Sequence, residues 1–289
     1  MSEYILFTDS TSDLSPELIE EMDVRVMPMC FTLDGKEYRN WPDGREMDMK
    51  SFYDAMRGGA MATTSQLAMT EFRNSFEPVL AEGKDVLYLA FSGGMSGTYQ
   101  AACLTAGDLM EQYPDRRVVC VDTLNACMGE GLLVYHAAML RKSGAGLDEV
   151  ADWTRENALT VCSWFTVDTL TYLKRGGRVS AATAMAGNLL GIKPILHVDE
   201  EGHLAATEKV RGRKASLDTL VKHYAEGGTD HANNTVFIAH ADCAEDAAYM
   251  AEQVQKIGAK RVVIHNVGPV IGAHTGPGAM TLFFTGTGR

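Results

Sequence analysis

The chain has 289 residues, of which 46% are hydrophobic and 22% charged, and this composition excludes a disordered or fibrous protein. Acidic residues outnumber basic ones by 38 to 26, so the net charge of -12 would repel nucleic acid. No apolar run reaches the roughly 18 residues of a membrane span, and no signal peptide precedes the first strand pattern, so we expect a cytoplasmic protein.

The first part of the chain alternates strand-like apolar runs with segments of helical period. This alternation is typical of parallel strands covered by crossover helices. Ser15 and Pro16 indicate a helix start, with the hydroxyl as N-cap and the proline at the first helical position. Thr70 is the predicted N-cap of a later helix. We predict strands over residues 4–8, 25–33, 86–91 and 118–121, and helices over 16–22, 48–56, 70–80, 99–113, 131–141 and 147–157.

A second set of elements begins at residue 161. Residues 192–198 and 204–211 flank an acidic turn that contains Gly202, which predicts a hairpin. The sequence therefore predicts an α/β fold of two domains, residues 1–158 and 159–289. The other predicted elements are strands over residues 161–167, 236–240 and 262–266, and helices over 168–174 and from Lys214 and Ala244.

The cysteines show no pattern of a disulfide framework or a metal site. No C-x-x-C pair occurs, and most of the thiols lie in apolar surroundings that suit small buried side chains. We therefore predict no metal. The six are Cys30, Cys103, Cys120, Cys127, Cys162 and Cys243.

Four short clusters of hydroxyl side chains and glycines follow strand-like runs or lie in turns. Such clusters can direct backbone N–H groups and hydroxyls at one anionic group, which predicts an anion pocket. Each cluster alone also fits ordinary turn and cap chemistry. They are residues 8–13 (TDSTSD), 63–66 (TTSQ), 92–98 (SGGMSGT) and 272–278 (GAHTGPG).

Common nucleotide and hydrolase signatures are absent from the sequence. There is no G-x-x-x-x-G-K-[ST] loop and no G-x-G-x-x-G loop. Residues 94–98 nearly match the nucleophile elbow G-x-S-x-G, but the last glycine is displaced by one position. A hydrolase triad of Ser96, His274 and Asp9 stays open, because triads are recognised by geometry rather than by order.

Five ordered motifs, which together span essentially the whole chain, resemble those of the DegV family. The resemblance implies an N-terminal, mostly parallel sheet flanked by helices, a C-terminal α/β domain, and a tunnel between them for one long-chain fatty acid. It implies a carrier without catalytic residues or cofactor, which presents the carboxyl group to a separate ATP-dependent fatty acid kinase subunit in phospholipid metabolism. The motifs are residues 7–10 (FTDS), 64–66 (TSQ), 95–100 (MSGTYQ), 172–178 (YLKRGGR) and 272–278 (GAHTGPG).

The same resemblance implies which residues bind the carboxyl group. Thr64 and Ser96 would contact it through their hydroxyls, and His274 would complete the network. Thr63 and Ser92 are second-choice hydroxyls. A positively charged His274 would favour an ionised ligand, although a turn histidine bonded to backbone is the alternative.

Methionines are candidates for the tunnel wall, because flexible thioethers adapt to a variable chain shape. Burial of the tail contributes roughly 0.8 kcal/mol per methylene before the costs of association. Core filling is the alternative role for each methionine. The candidates are Met27, Met29, Met61, Met69 and Met95.

Two arginines are candidates for docking the kinase. Arg178 follows two glycines in a turn that reads as exposed, and Arg211 lies in the basic stretch 209–214. The resemblance implies that arginines at these positions face the kinase, whereas a solvated charge run is the alternative.

Two other classes of function stay open at this point. One is a serine-type esterase that uses Ser96 and His274, and the other is a sensor of a small anion or phosphosugar without a lipid tunnel. Nucleic acid and a membrane span are not expected, whereas transient contact with a membrane surface stays open.

Overall fold

The computed structural model describes residues 3–180 and 191–289, and the strands described there form three sheets. The first sheet has the order β2-β1-β6-β7, the second β4-β3-β5 and the third β10-β9-β8-β13-β11-β12. The strands are β1 (Tyr4–Asp9), β2 (Arg25–Met27), β3 (Cys30–Leu33), β4 (Lys36–Arg39), β5 (Ala62–Ser65), β6 (Asp85–Ala90), β7 (Val118–Asp122), β8 (Val161–Thr166), β9 (Ile192–Val198), β10 (Leu204–Arg211), β11 (Thr235–His240), β12 (Arg261–Asn266) and β13 (Met280–Thr285).

The first sheet is entirely parallel, which agrees with the predicted N-terminal architecture. Its two central strands, β1 and β6, are almost completely buried. Strands buried on both faces read as continuous apolar runs, which is why the sequence revealed them. The carboxyl end of β6 leads directly into the segment 92–97.

The second sheet corrects the prediction of one strand over residues 25–33. Pro28 has no N–H to donate to a ladder, and the N–H of Met29 donates to the Ser10 hydroxyl at 2.9 Å. The chain therefore changes sheets, with β2 in the first and β3 in the second. Residues 63–65, which belong to one of the four hydroxyl clusters, are part of β5, where Thr64 pairs with Phe31.

The third sheet is mostly antiparallel, and only β11 and β12 run parallel. The predicted hairpin is confirmed, since β9 and β10 pair from Val198 and Leu204 to Ile192 and Arg211. The sequence analysis missed β13, which lies between β8 and β11 near the middle of the sheet.

The helices agree with most of the predicted ones. Ser15 caps α1, since its hydroxyl accepts from the N–H of Leu18 at 3.3 Å. The prediction of Thr70 as a cap is wrong, because α3 begins at Met69 and the Glu71 carboxylate accepts from the N–H of Ala68 at 2.9 Å. The helices are α1 (Pro16–Met22), α2 (Met49–Arg57), α3 (Met69–Ala81), α4 (Thr98–Gln112), α5 (Cys127–Lys142), α6 (Leu147–Asn157), α7 (Thr171–Arg175), α8 (Arg213–Gly227), α9 (Ala244–Ile257) and α10 (Pro269–Thr275).

Helix α5 joins the two halves, because it packs against β6 of the first sheet and against β8, β11 and β13 of the third. Residues of both halves accordingly form one continuous core. The two halves also exchange hydrogen bonds, such as those from the Tyr53 hydroxyl to the Val267 carbonyl at 2.7 Å and from the Gly268 N–H to Asp13 at 2.9 Å. The domain boundary near residue 158 stays a prediction.

The cluster at residues 8–13 does not belong to an anion pocket, which corrects the prediction. All six side chains are buried, and they bond to one another and to neighbouring strands. The Asp9 carboxylate accepts from the Tyr88 hydroxyl at 2.7 Å and from the N–H groups of Thr11 and Phe91 at 3.0 and 3.3 Å. The Asp9 carboxylate is therefore hydrogen-bonded to groups of the protein itself rather than available to a ligand.

Glu130 on α5 completes this buried network. The Thr8 hydroxyl lies within hydrogen-bond distance of two oxygens, the Leu89 carbonyl at 2.9 Å and Oε1 of Glu130 at 2.8 Å, but it can donate its single hydrogen to only one of them. Because the carbonyl can only accept, a protonated Glu130 supplies the second hydrogen. Burial, together with the nearby Asp9 charge, raises the pKa of Glu130 well above its usual value, which agrees with this hydrogen count.

The described helices include none that is both long and apolar enough to cross a bilayer.

We expect Glu130→Gln to stabilise the protein at pH 8. A raised pKa means that the folded protein keeps a proton that the unfolded chain releases, so the free energy of unfolding falls as pH rises above the unfolded pKa of about 4. The amide retains a donor and an acceptor but does not titrate. Urea unfolding between pH 4 and pH 8 measures the free energy of unfolding of the variant and of the parent. The difference between the two should vanish near pH 4 and grow toward pH 8.

Glu156→Gln is the matched control, because Glu156 is an exposed residue on the neighbouring helix α6. It removes the same charge and should leave the pH dependence unchanged. A Glu130→Gln variant that is less stable than the parent at pH 8 would contradict a protonated Glu130.

Candidate functional site

A cavity of about 280 Å³ lies between the two halves of the chain. Its wall comes from the second sheet, the segment 91–97, the start of α5, the third sheet and α10. Most of the lining residues are apolar, and a smaller polar group accompanies them. The apolar ones include Met29, Phe91, Met95, Ala126, Phe165, Leu173, Val198, Leu204, Val270, Ile271 and Phe283, and the polar ones include Thr64, Ser65, Gln66, Ser96, Arg178, His274, Thr275 and Thr281.

Thr64 and His274 are in direct contact in this wall. The Thr64 hydroxyl lies 2.8 Å from Nε2 of His274, although 210 residues separate the two in the chain. The contact forms because α10 packs against β5 and β3. His274 was expected in a glycine-rich loop, but it lies in the last turn of α10, and only residues 276–278 continue as a loop.

Ser96 lines the same cavity from the segment between β6 and α4. Its hydroxyl lies 2.9 Å from that of Thr98, and it accepts from the Thr98 N–H at 3.3 Å. These bonds place Ser96 at the N-terminus of α4, where backbone N–H groups attract negative charge. The structure therefore brings Thr64, Ser96 and His274 to one cavity.

The two second-choice hydroxyls lie outside the cavity lining. Thr63 neighbours Thr64 on β5, but successive side chains of a strand point to opposite faces, and Thr63 is exposed. Ser92 is fully buried and donates to the carbonyl of Gly202 at 2.8 Å. It fastens the segment 92–97 to the hairpin β9–β10, which is a structural role.

Close backbone contacts join the polar residues into one group. A Cβ atom at Gly97 would collide with the Gln66 side chain, and one at Gly176 would collide with the His274 ring. At Gly176 the space is closed by the His274 ring, whereas at Gly97 only the flexible end of Gln66 would have to move. The segments that carry Ser96 and Arg178 consequently lie close to Gln66 and His274.

Arg178 closes this group, which corrects the expectation of an exposed side chain. It is half-buried and lines the cavity. Its Nε and Nη2 groups donate to the carbonyl of Met95 at 3.2 and 2.9 Å, and Nη1 donates to that of Gly176 at 2.6 Å. Arg211, in contrast, is exposed at the end of the edge strand β10.

The electrostatics of His274 also differ from the expectation. Burial, and secondarily the positive charge of Arg178, lower the pKa of His274 to about 4. The imidazole is therefore neutral at pH 7, and His274 does not supply the positive charge that the sequence suggested. Its Nδ1 is buried and has no hydrogen-bond partner among the described residues.

The triad of Ser96, His274 and Asp9 is not assembled. Within residues 3–180 and 191–289, no hydrogen bond joins Ser96 to His274, and the bonds of Asp9 go to Thr11, Tyr88 and Phe91. A serine hydrolase needs a base bonded to the nucleophile and a third group that orients the base. The arrangement does not provide these.

Of the methionines predicted for a tunnel wall, Met29 and Met95 line the cavity. Met27 is buried outside the lining, and Met61 and Met69 are 50% and 40% exposed. The sequence analysis missed aromatic and aliphatic lining residues such as Phe165 and Leu204. Their apolar pattern predicts that they face inward, but the same pattern describes a solid core.

The part of the chain that the structure describes holds no group of three or more metal-ligating side chains.

Comparisons with known proteins give consistent matches over the whole chain. A family model described as "Uncharacterised protein, DegV family" matches residues 4–287. A DegV domain-containing protein of Clostridium perfringens is 41% identical over 287 residues, which cover 99% of this chain and 98% of the relative.

Solved structures of similar proteins share the fold. A DegV family protein from Thermus thermophilus, described for its fatty acid binding, is 32% identical with a TM-score of 0.87, and the match covers 99% of this chain and 100% of that one. DegV from Bacillus subtilis, described as a fatty acid binding protein, is 28% identical with a TM-score of 0.87 over the same shares.

We expect the His274 ring to stay neutral between pH 8 and pH 5, because its pKa is about 4. Nitrogen NMR of protein labelled at histidine measures this, with the His274 resonances assigned by their loss in His274→Gln. The urea-unfolded protein is the reference, where histidine titrates near 6.5. A midpoint near 6.5 for His274 in the folded protein would contradict the expected desolvation.

Proposed function

The chain belongs to the DegV family, and on this premise we propose that it binds one long-chain fatty acid in the cavity between its halves. Thr64, Ser96 and His274 hold the carboxyl group, and the tail lies along the apolar wall. The protein acts as a carrier that presents the carboxyl group to a separate ATP-dependent kinase. Catalysis belongs to that partner.

The observation that carries this proposal is that the wall of one cavity combines a polar group with a larger apolar remainder. In the polar group, Thr64 contacts His274, and Arg178 bonds to the backbone next to Ser96. An amphiphile with one polar head and a long tail matches such a wall. A small anion or phosphosugar would leave the apolar residues without a partner, so the wall favours a lipid. Similar proteins described as binding fatty acids support the same ligand class.

The polar group can satisfy a carboxylate by donation. When the neutral His274 carries its hydrogen on Nε2, it donates to the Thr64 oxygen, and the Thr64 hydroxyl hydrogen is then free for the ligand. The Ser96 hydroxyl and the start of α4 contribute further donors. A buried carboxylate needs such donors, because an unsatisfied charge would be costly.

The proposed transfer takes place on the partner. A carboxylate oxygen of the bound acid attacks the γ-phosphorus of ATP, a new O–P bond forms, and the bond to the leaving ADP oxygen breaks. The products are an acyl phosphate and ADP. This chain contributes the position of the carboxylate, which reduces the entropy lost in the encounter.

Arg211 supports the docking part of the proposal. It is exposed in the basic stretch 209–214, where Arg213 pairs with Asp246 at 2.8 Å and Lys214 with Asp218 at 3.0 Å. No ion pair involves Arg211 among residues 3–180 and 191–289. Arg211 is therefore available to form an ion pair with an acidic patch on a partner.

Native mass spectrometry of the purified protein tests the ligand directly. We expect a retained acid of C14 to C18 without added ligand, and Thr64→Ala should lower its occupancy because one donor to a charged group is lost. That loss corresponds to roughly a 10-fold or greater rise in Kd.

Thr63→Ala is the matched control, since it removes the same hydroxyl from the neighbouring exposed position of β5. It should leave occupancy unchanged. Equal occupancy in Thr64→Ala and the parent would remove Thr64 from the site, and a protein that neither retains nor takes up any fatty acid would overturn the proposal.

We expect Arg211→Ala to bind fatty acid normally but to support slower acyl phosphate formation with the cognate kinase, because the exposed cation is lost at the contact. The rate of ADP release at limiting carrier concentration measures this effect. Lys260→Ala is the charge control, because Lys260 is exposed just before β12, at the opposite edge of the third sheet from β10. An unchanged rate for Arg211→Ala would dismiss the docking role.

A further inference from the structure

A second, much smaller cavity lies where the cluster at residues 8–13 meets the second half of the chain. Its volume is about 10 Å³, which is room for a single water-sized particle. An occupant of this cavity contacts both halves at once. The polar residues that line it include Ser10, Ser12, Asp13 and Asn40 from the first half and Asn266 and Gly268 from the second.

The carboxyl group of Asp13 is only half satisfied at this cavity. Asp13 is 6% exposed, and its Oδ1 accepts from the N–H of Gly268 at 2.9 Å. Its Oδ2 is buried and has no hydrogen-bond partner among the described residues. The thiol of Cys127 also lies near this carboxyl group, but a thiol is a weak donor. A buried carboxyl oxygen in this condition is costly unless a ligand meets it.

No counter-charge for Asp13 is recorded in the described part of the chain. No lysine or arginine forms an ion pair with it there. His265 also lines the cavity, but burial lowers the pKa of its imidazole, which is therefore neutral at pH 7 and above. A water molecule would satisfy the free oxygen of Asp13 but would leave the charge of the carboxylate uncompensated, whereas a cation would satisfy both.

Asn40 supplies a neutral oxygen beside this carboxyl group. Its Nδ2 donates to the carbonyl of Ser10 at 3.2 Å, and its Oδ1 accepts no hydrogen bond from residues 3–180 and 191–289. A Cβ atom at Gly268 would lie 2.5 Å from Oδ1 of Asp13 and 3.3 Å from Oδ1 of Asn40, so the two side chains meet at this glycine. Alkali cations bind neutral oxygens that replace their hydration shell, so such a site does not need three acidic, histidine or cysteine side chains.

We propose that this cavity binds one dehydrated alkali cation, Na⁺ or K⁺, between the Asp13 carboxylate and the neutral oxygens around it. One positive charge balances the one carboxylate that lines the cavity. Mg²⁺ keeps several of its water molecules, for which a cavity of this volume has no room, and Ca²⁺ favours more oxygens and more carboxylates. The cation holds the two halves together independently of any lipid in the larger cavity.

Thermal unfolding of the full chain in matched chloride salts tests the inference. The salts are NaCl, KCl and tetramethylammonium chloride, whose cation is too large for the cavity. The measurement is made at pH 9 to limit competition from protons, because burial raises the pKa of Asp13 to about 8. At about 0.2 M salt we expect the parent to unfold roughly 2 to 5 °C higher in NaCl or KCl than in the third salt, since a ligand of the folded state raises Tm. The salt with the larger shift identifies the preferred cation.

Two variants and one control locate the effect. Asp13→Asn should lose the shift, because a neutral amide attracts a cation much less than a carboxylate does. Asn40→Ala keeps the carboxylate but removes one oxygen, so it should reduce the shift, and it decides the matter if Asp13→Asn does not fold. Asp115→Asn removes a charge from an exposed position and should keep the full shift. Equal unfolding temperatures of the parent in the three salts would overturn the inference, and so would a shift that both site variants retain in full.

Discussion

The packing of α10 against β5 is the constraint on which the rest of the site depends. It holds His274 against Thr64 across 210 residues of chain and brings the C-terminal half over the small second sheet. These surfaces contact each other around the cavity, but their side chains do not fill it. A hydrogen bond of 2.8 Å joins the helix to the strand at this contact.

His274 and Arg178 have different electrostatic roles at the site. Burial keeps His274 neutral, so it can donate through one nitrogen without introducing a charge. Arg178 carries the positive charge, its recorded bonds go to backbone carbonyls, and no carboxylate of residues 3–180 and 191–289 pairs with it. A neutral imidazole beside a fixed cation avoids the repulsion between two positive charges, because the charge of Arg178 lowers the pKa of His274.

The sequence was sufficient for the architecture, because buried parallel strands are continuous apolar runs. Its motifs also pointed to Thr64, Ser96 and His274, which line one cavity. The sequence could not show that the cluster at residues 8–13 lies outside the pocket. Hydroxyl groups can donate hydrogen bonds to a carboxyl group of the protein as readily as to a ligand. Pro28 marked a change of sheet, but its lack of a donor does not say which sheet follows. The position of Arg178 depended on tertiary contacts that local spacing does not encode.

The shared cavity wall has a consequence for how the molecule melts. Residues of both halves, such as Phe91 and Phe165, line the same space, so a molecule lodged there is lost when either half opens. A ligand that binds only the folded protein then adds RT ln(1 + [L]/Kd) to the free energy of unfolding of the two halves together. We expect the protein with an occupied cavity to unfold in one transition, whereas unfolding of the two halves should be less cooperative when the cavity is empty.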